Sequence, residues 1–282
     1  MCSKKIIVNQ SGKGVYHMYY SNRNWIALGI SVIVTIVVVA LLTVFIGGSF
    51  WGDMVIGETS SPVYPFSLQN LMHLLFFIGL GQLWIRWLFT YEENVFLSKS
   101  GFLPEEDGVL LEKDEDIEAI RVNVSNAAVR AEAFLPDLIN NSILQYSKSH
   151  SISDTISVLN SNLELNIHRL DLNYSIIRYL VWAIPTFGFM GTVIGIAYAL
   201  GRMDINKFMG ASTEKVIVFK KITADLGFAF GTTIVALALS ALLVFLWNVV
   251  QRGEENVLNK AGKYVLMNLI NRLHVPNKRN SQ

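Results

Sequence analysis

The sequence predicts an all-α membrane protein with four transmembrane helices, the last two of which extend into a cytoplasmic helical domain. Three observations lead to this fold class. Of the 282 residues, 52% are hydrophobic and 16% are charged, whereas a soluble domain is about a quarter charged. Four charge-free stretches are each long enough for the ~20 residues that cross a bilayer as a helix. Between them, apolar residues recur at helical spacing. The composition therefore argues against a water-soluble enzyme and against a disordered chain.

The four charge-free stretches define the predicted spans. They lie between Arg23 and Asp53, between Glu58 and Arg86, between Arg178 and Arg202, and between Asp225 and Arg252. Backbone polar groups in lipid must be bonded within their own segment, so each stretch is expected to be a helix. The second helix is expected to start after Pro65. Six tryptophans fall near the predicted span ends, as in an interfacial belt: Trp25, Trp51, Trp84, Trp87, Trp182 and Trp247.

Basic residues in the short flanks predict the orientation, because cytoplasmic loops are enriched in lysine and arginine. Lys4, Lys5, Lys13 and Arg23 precede the first span, and residues 53–65 contain no basic residue. Both termini are therefore predicted to be cytoplasmic. The connection 202–221, which this topology places outside, holds five basic residues and opposes it.

The predicted organisation has five parts. They are a cytoplasmic N-terminal segment (1–24), transmembrane helices 1 and 2 (25–90), a cytoplasmic helical region (91–176), transmembrane helices 3 and 4 (177–252), and a cytoplasmic C-terminal helix and tail (253–282).

Two runs of helical periodicity lie in the region 91–176. The first begins at the acidic residues 114–116, which suit a helix N-terminus, and Pro136 is expected to break it. The second, from Ile152, has Ser153 and Asp154 as expected N-caps. No Gly or Pro separates it from the third span, so one continuous helix is predicted from about residue 152 into the membrane.

The fourth span is expected to continue likewise through Leu273, with Gly253 and Gly262 as weak points. The apolar faces of these runs are interpreted as helix packing beneath the membrane, and the alternative is a docking surface for a cytoplasmic regulator.

Motifs of soluble catalysis are not found in the sequence. Ser11-Gly12-Lys13-Gly14 lacks the upstream glycine and the Ser or Thr of a phosphate-binding loop. The five histidines lack metal-ligand spacing. We therefore expect no enzyme activity, no catalytic residues, no metal and no cofactor. The net charge of +1 gives no support to a nucleic-acid partner.

The third and fourth spans carry stripes of small and hydroxylic residues at helical spacing. The third has Pro185, Gly188, Thr192, Gly195 and Ala199, with Gly191 and Gly195 forming a GxxxG pair; the fourth has Ala229, Thr233, Ala236 and Ser240, with Thr232 beside them. Small residues let helices approach closely in lipid, and hydroxyls can replace an ion's hydration. The pattern leaves two interpretations open, namely plain packing and the lining of a narrow hydrated path.

No span carries a central acid, lysine or arginine, although ionisable residues are the usual proton carriers in membranes. His73 is interpreted as a structural residue, and Arg86 is expected to extend toward the headgroups. Asp225, at the expected outer start of the fourth span, is interpreted as a helix cap or as an auxiliary acid. A titrating group for proton conduction would have to come from another chain.

Residues 185–196, PTFGFMGTVIGI, resemble a helix of the MotA/TolQ/ExbB proton-channel family. Residues 225–240, DLGFAFGTTIVALALS, resemble the next helix of that family, and Trp247-Asn248 is similar to its terminal aromatic-Asn pair. The resemblance covers roughly residues 175–255.

The resemblance implies a ring of identical subunits, usually a pentamer, around a dimer of a single-span partner related to MotB, TolR or ExbD. The Asp of that partner would accept the proton, and ion flow would drive mechanical work in a bacterial inner membrane. Thr192, Thr232 and Thr233 match pore-facing threonines and, with Ser240, form the expected ion pathway. Pro185, Gly191 and Gly195 match the turn and close-packing residues, together with Gly188.

The sequence also departs from the family. Gly227 or Phe228 stands where the TolQ/ExbB branch has a glutamate, and residues 240–241 replace its proline. Two further hypotheses therefore stay open beside a subunit that conducts protons or Na⁺. One is a non-conducting four-helix scaffold, and the other is a solute carrier, although carriers usually show repeats.

Overall fold

The computed structural model describes residues 11–57, 64–98, 103–105, 111, 114–127, 133–201 and 212–273. Within these ranges the regular elements are helices and no β-strand is formed. In chain order they are α1 (Ser11–Ile46), α2 (Phe50–Ile56), α3 (Leu68–Ser98), α4 (Asp114–Ala127), α5 (Phe134–Ser149), α6 (Ile152–Asn173), α7 (Ser175–Gly201) and α8 (Ser212–Asn268), followed by a 3₁₀ turn (Ile270–Arg272).

Four helical segments are long and apolar enough to cross a membrane. They are Trp25–Ile46, Leu68–Ser98, Ile152–Gly201 and Lys215–Arg272, and each overlaps one charge-free stretch of the sequence. The chain is therefore a multi-pass membrane protein, as predicted. The second helix begins after Pro65, as expected.

The chain divides into two compact units. The membrane unit comprises Asn24–Ile85 and Ser175–Val249, and the polar unit comprises Met1–Arg23, Arg86–Tyr174 and Val250–Gln282. The division falls inside α1, α3 and α8 and between α6 and α7. It does not test where a bilayer begins and ends, so the domain boundaries given above stay a prediction.

In the membrane unit, helices meet through small residues. Ser31 and Thr35 are buried although most apolar side chains of α1 are exposed, which is the inverse of a soluble helix and suits a lipid-facing one. The Ser31 hydroxyl lies against Gly81 of α3. Leu243 of α8 and Leu180 of α7 pack on Gly79 of α3. These contacts bring α3, α7 and α8 together around glycine positions, as expected for packing in lipid.

The polar unit has an apolar core of its own. The predicted helical faces are buried there at Ile117, Val124 and Phe134. Leu163 of α6 packs on Gly262 of α8. The buried core residues come from segments distant in sequence: Phe89, Leu103, Leu111, Ile117, Val124, Phe134, Leu135, Leu138, Ile139, Ile143, Tyr146, Leu159, Leu170, Leu258, Ala261, Val265, Leu269, Ile270 and Leu273. The predicted continuation of the fourth span is confirmed as far as Asn268, since α8 passes through Gly253 and Gly262 without a break; a 3₁₀ turn, and not α-helix, precedes Leu273.

Two local predictions in this unit are wrong. Pro136 does not break a helix but lies in the first turn of α5. Backbone N–H groups in the first turn have no acceptor within the helix, so a proline there costs no hydrogen bond. The N-cap of α6 is Ser151 rather than Ser153 or Asp154, because the extended Ser151 accepts a hydrogen bond from the Asp154 N–H at 3.3 Å.

The helix predicted from residue 152 into the membrane is present as one helical segment, Ile152–Gly201, except that a single turn residue, Tyr174, separates α6 from α7. Tyr174 has φ −88° and ψ 0°, and its side chain is fully buried. Its hydroxyl donates to Glu254 Oε2 at 2.8 Å. This tertiary contact accompanies a local break for which the sequence gives no Gly or Pro signal.

Candidate ion pathway in the membrane unit

Helices α7 and α8 approach each other closely at three glycines of α7, Gly188, Gly191 and Gly195. A Cβ atom added to Gly191 would lie 2.5 Å from Thr232 Oγ1, and one added to Gly195 would lie 3.0 Å from Ala229 Cα. These distances are below ordinary van der Waals contact, so only glycine fits. The small-residue stripe predicted on the third span is thus buried against α8, and we call this contact the glycine seam.

Three threonine hydroxyls converge at the centre of the glycine seam. Thr232 Oγ1 lies 2.7 Å from the Ala229 carbonyl oxygen and 3.3 Å from that of Gly188. Thr192 and Thr233 Oγ1 are hydrogen-bonded to each other, and each lies 3.2 Å from the Gly188 carbonyl oxygen. The two antiparallel helices therefore place hydroxyls from separate spans around one shared carbonyl.

The three threonines differ in exposure, and this difference separates their possible roles. Thr232 is fully buried and packs on Gly191, whereas Thr192 and Thr233 are each partly exposed. The Thr192–Thr233 pair is thus the part of the network that is exposed at the surface of the chain. Membership of Thr232 in an ion path stays a prediction.

The hydroxyl of Ser240 replaces a backbone hydrogen-bond donor that Pro185 lacks. Proline has no N–H, so Pro185 inside α7 leaves the carbonyl of Val181, four residues earlier, without its helical donor. The Ser240 hydroxyl of α8 donates to that Val181 oxygen at 3.1 Å. Ser240 is buried, with 7% of its surface exposed. The two predicted site residues are therefore coupled through one backbone carbonyl.

Asp225 does not cap the fourth span, and that interpretation is wrong. Helix α8 begins at Ser212, so Asp225 lies in its interior. Its backbone carbonyl forms one end of the glycine seam, 3.1 Å from the position of a Cβ on Gly195. A role as an auxiliary acid stays a prediction.

Arg86 does not extend toward headgroups, and that expectation is wrong too. Its side chain is buried and ion-paired with Glu254, with Nε 3.2 Å from Oε2. Tyr174 donates to the same carboxylate, and the guanidinium lies 5.1 Å from the Phe89 ring centroid. We call Arg86, Tyr174 and Glu254 the ionic cluster; all three belong to the polar unit and lie outside the charge-free stretches.

Burial dominates the electrostatics of the ionic cluster. It raises the pKa of the Glu254 carboxyl, while the charge of Arg86 opposes that shift. Burial and the neighbouring Glu254 charge raise the pKa of the Tyr174 hydroxyl. Sequence reasoning missed this cluster, although a charged residue at the edge of a span, Arg86, was a signal that a partner should be sought.

His73 is buried in α3, and its Nδ1 lies 2.7 Å from the Gln69 carbonyl oxygen. This supports the structural interpretation of His73. Among the described residues, no group of three or more His, Cys, Asp or Glu is placed to hold a metal ion.

These observations define a class of protein: a multi-pass helical membrane protein whose two later spans pack through small residues around a neutral hydroxyl pair. A family model described as the MotA/TolQ/ExbB proton channel family matches residues 126–262. The match confirms the family that the motifs of the third and fourth spans indicated, and these residues carry its domain, including the whole glycine seam. No curated protein and no solved structure matches the chain.

Proposed function

We propose that this protein is the ring-forming subunit of an ion-driven membrane motor. It conducts protons or Na⁺ together with a single-span partner that carries an intramembrane Asp, and it converts the ion flow into mechanical work. The observation that carries the proposal is the partly exposed Thr192–Thr233 hydroxyl pair. The match to a proton channel family supports it.

The hydroxyl pair can exist in two hydrogen-bond arrangements. Each hydroxyl has one hydrogen, so either Thr192 donates to Thr233 or the reverse. The hydroxyl that accepts donates in turn to the Gly188 carbonyl, which lies 3.2 Å from both. Switching between the two arrangements moves no heavy atom far, and the oxygens keep lone pairs for water or a cation. Such a pair can pass a proton or replace part of a hydration shell.

A second chain must supply the titrating group, because the four charge-free stretches contain no acid or base apart from His73. We propose that several copies, five in the family pattern, surround a dimer of a MotB/TolR/ExbD-like partner whose Asp faces the Thr192–Thr233 pair. The assembly lies in a bacterial inner membrane, both termini are cytoplasmic, and membrane lipid covers the outer faces.

The test removes the hydroxyls while keeping their shape. The double variant Thr192→Val/Thr233→Val, isolated with its partner and reconstituted in vesicles, is expected to lose partner-dependent ion flux by about 10²-fold or more, since the loss of one charge-stabilising donor already costs about 10²–10³-fold in an enzyme site. The single variant Thr233→Ser keeps a hydroxyl at this position and should therefore retain flux.

The matched control is Thr186→Val. Thr186 is on the same helix, and its hydroxyl donates to the Trp182 carbonyl at 2.9 Å within that helix. It should leave flux unchanged. Normal flux in the double variant would overturn the proposal.

The alternative is a non-conducting four-helix scaffold. One observation favours it: the Thr232 hydroxyl is fully buried and directed at carbonyl oxygens, which is a packing role. A scaffold predicts that the purified protein contains no Asp-bearing companion and that the threonine variants change only thermal stability.

A further inference from the structure

The first turn of α3 buries a side-chain amide without a hydrogen-bond partner. Gln69 has 0% of its surface exposed, and neither its Oε1 nor its Nε2 is hydrogen-bonded. A buried amide in this state destabilises a fold, so such groups are normally paired with protein or with an ordered water molecule.

Gln69 faces the end of α2. Gly57 is the C-cap of α2 at φ +87°, and a Cβ atom there would lie 3.3 Å from Gln69 Oε1. The Ser67 hydroxyl donates to the Ile56 carbonyl at 2.9 Å, which holds this turn against the start of α3. Asp53 lies four residues before Gly57, on the same face of α2, and its Oδ1 is also buried without a hydrogen bond.

Acceptors outnumber donors around this turn. Asn70 donates from Nδ2 to the Pro65 carbonyl at 2.8 Å, which leaves its buried Oδ1 unpaired. Three oxygens, on Asp53, Gln69 and Asn70, therefore lack donors, while Gln69 Nε2 is the one amide donor that lacks an acceptor among them. Water, which donates two hydrogens and accepts two, matches such a set.

The same short helix lies beside the threonines. Met54 of α2 packs on Gly231 of α8, where its Cγ would be 2.7 Å from an added Cβ. Gly231 directly precedes Thr232 and Thr233. The surroundings of Gln69 and the turn of α8 that carries Thr233 are thus both in contact with α2.

We propose that the space around Asp53, Gln69 and Asn70, which we call the amide pocket, holds ordered water and forms the hydrated entrance to the ion path on the side of the loop between the first two spans. The proposal that the amide pocket holds water rests on the unpaired groups alone. The role as an entrance rests on the proposed function.

Cysteine reactivity tests the water content. In a Cys2→Ser background, Gln69→Cys and Leu243→Cys are compared in native membranes with the partner present, using 2-aminoethyl methanethiosulfonate as the probe. Both positions are fully buried, but Leu243 packs on Gly79 in apolar surroundings. A thiol must ionise to react, so the Gln69→Cys protein should be modified about tenfold faster or more. Equal rates would overturn the proposal.

A second variant guards against misfolding of the first. Gln69→Met keeps the side-chain volume and removes the amide. If the amide is hydrogen-bonded to water, the melting temperature of the complex should fall or stay unchanged. A rise would mean that the amide was buried dry, and the proposal would be wrong.

The role as an entrance has a separate readout. Gln69→Met is expected to lower partner-dependent flux several-fold, whereas Leu243→Met is not. If Gln69→Cys reacts fast but Gln69→Met keeps full flux, the pocket is hydrated and is not the entrance. If Thr192→Val/Thr233→Val also keeps full flux, the proposed function itself fails.

Discussion

The Thr192–Thr233 pair of the membrane unit and the ionic cluster of the polar unit are polar clusters built on opposite principles. The Thr192–Thr233 pair is neutral, partly exposed and shares one carbonyl acceptor. The ionic cluster is charged, buried and closed, with Arg86 and Tyr174 both bound to the Glu254 carboxylate. A neutral hydroxyl pair can change its hydrogen bonds at little cost. A buried ion pair cannot, because separating its charges in a low dielectric is expensive.

This difference assigns the clusters different tasks. Under the proposed function, the threonine pair makes transient contact with a passing ion or with a partner's Asp. The ionic cluster has a structural task, because it bonds Arg86 of α3 and Glu254 of α8 to Tyr174, the residue between α6 and α7. Variants in the first should therefore change flux, and variants in the second should change stability.

The largest expected effect is in the ionic cluster. Glu254→Ala removes the carboxylate that is ion-paired with the buried Arg86 guanidinium and should lower the free energy of unfolding by about 3–5 kcal/mol, measured by thermal or denaturant unfolding in detergent. The adjacent Glu255→Ala is the control, because Glu255 is partly exposed and accepts a hydrogen bond from Gln251 Nε2 of the same helix at 2.9 Å. The double variant Arg86→Met/Glu254→Leu should recover much of the loss. If the destabilisation of the double variant equalled the sum of the destabilisations of Arg86→Met and Glu254→Leu alone, the two residues would not be energetically coupled.

The second effect is in the glycine seam. Gly195→Ala places a Cβ atom 3.0 Å from the backbone of Ala229, so α7 and α8 must separate, at a cost of about 1–3 kcal/mol. Gly227→Ala is the matched control on α8, where nothing lies within 4 Å. The control should be neutral or slightly stabilising, by up to about 1 kcal/mol from helix propensity. Equal behaviour of the two alanines in an unfolding assay would contradict close packing at the seam.

The smallest expected effect concerns the Ser240 hydroxyl, which donates to a backbone carbonyl of α7. Ser240→Ala removes the donor to the Val181 carbonyl and should cost about 1 kcal/mol. In a Pro185→Ala background the restored N–H can satisfy that carbonyl, so the same substitution should cost less. A double-mutant cycle measures this coupling, and a coupling energy of zero would show that Ser240 and Pro185 act independently.

The sequence was most informative where the signal was local. Four charge-free stretches, the small residues at 188, 191 and 195, and the continuation of α8 past Gly253 all follow from patterns within one helix. The buried faces of Ile117 and Val124 do as well. Such patterns depend on how each side chain partitions between lipid, water and a neighbouring helix, which a single segment reveals.

The departures from the sequence predictions have a shared cause. The break at Tyr174, the cap at Ser151 and the first-turn position of Pro136 each depend on where neighbouring elements end. Asp225 was taken as a cap because charge was used to mark the start of the helix, whereas α8 begins 13 residues earlier. Hydropathy marks where a lipid-compatible stretch starts, and it does not mark the end of a helix that continues into water.

The order of residues alone determined how many helices can cross a membrane, which two carry small faces, and that neither carries an acid or base within its charge-free stretch. Only the tertiary structure decided that Arg86 meets Glu254, 168 residues away, and that Ser240 serves the carbonyl freed by Pro185. It also decided which threonines are exposed. The physical reason is that hydropathy and side-chain volume are properties of single residues. The pairing of a buried charge or carbonyl, in contrast, is a property of two groups that only folding brings together.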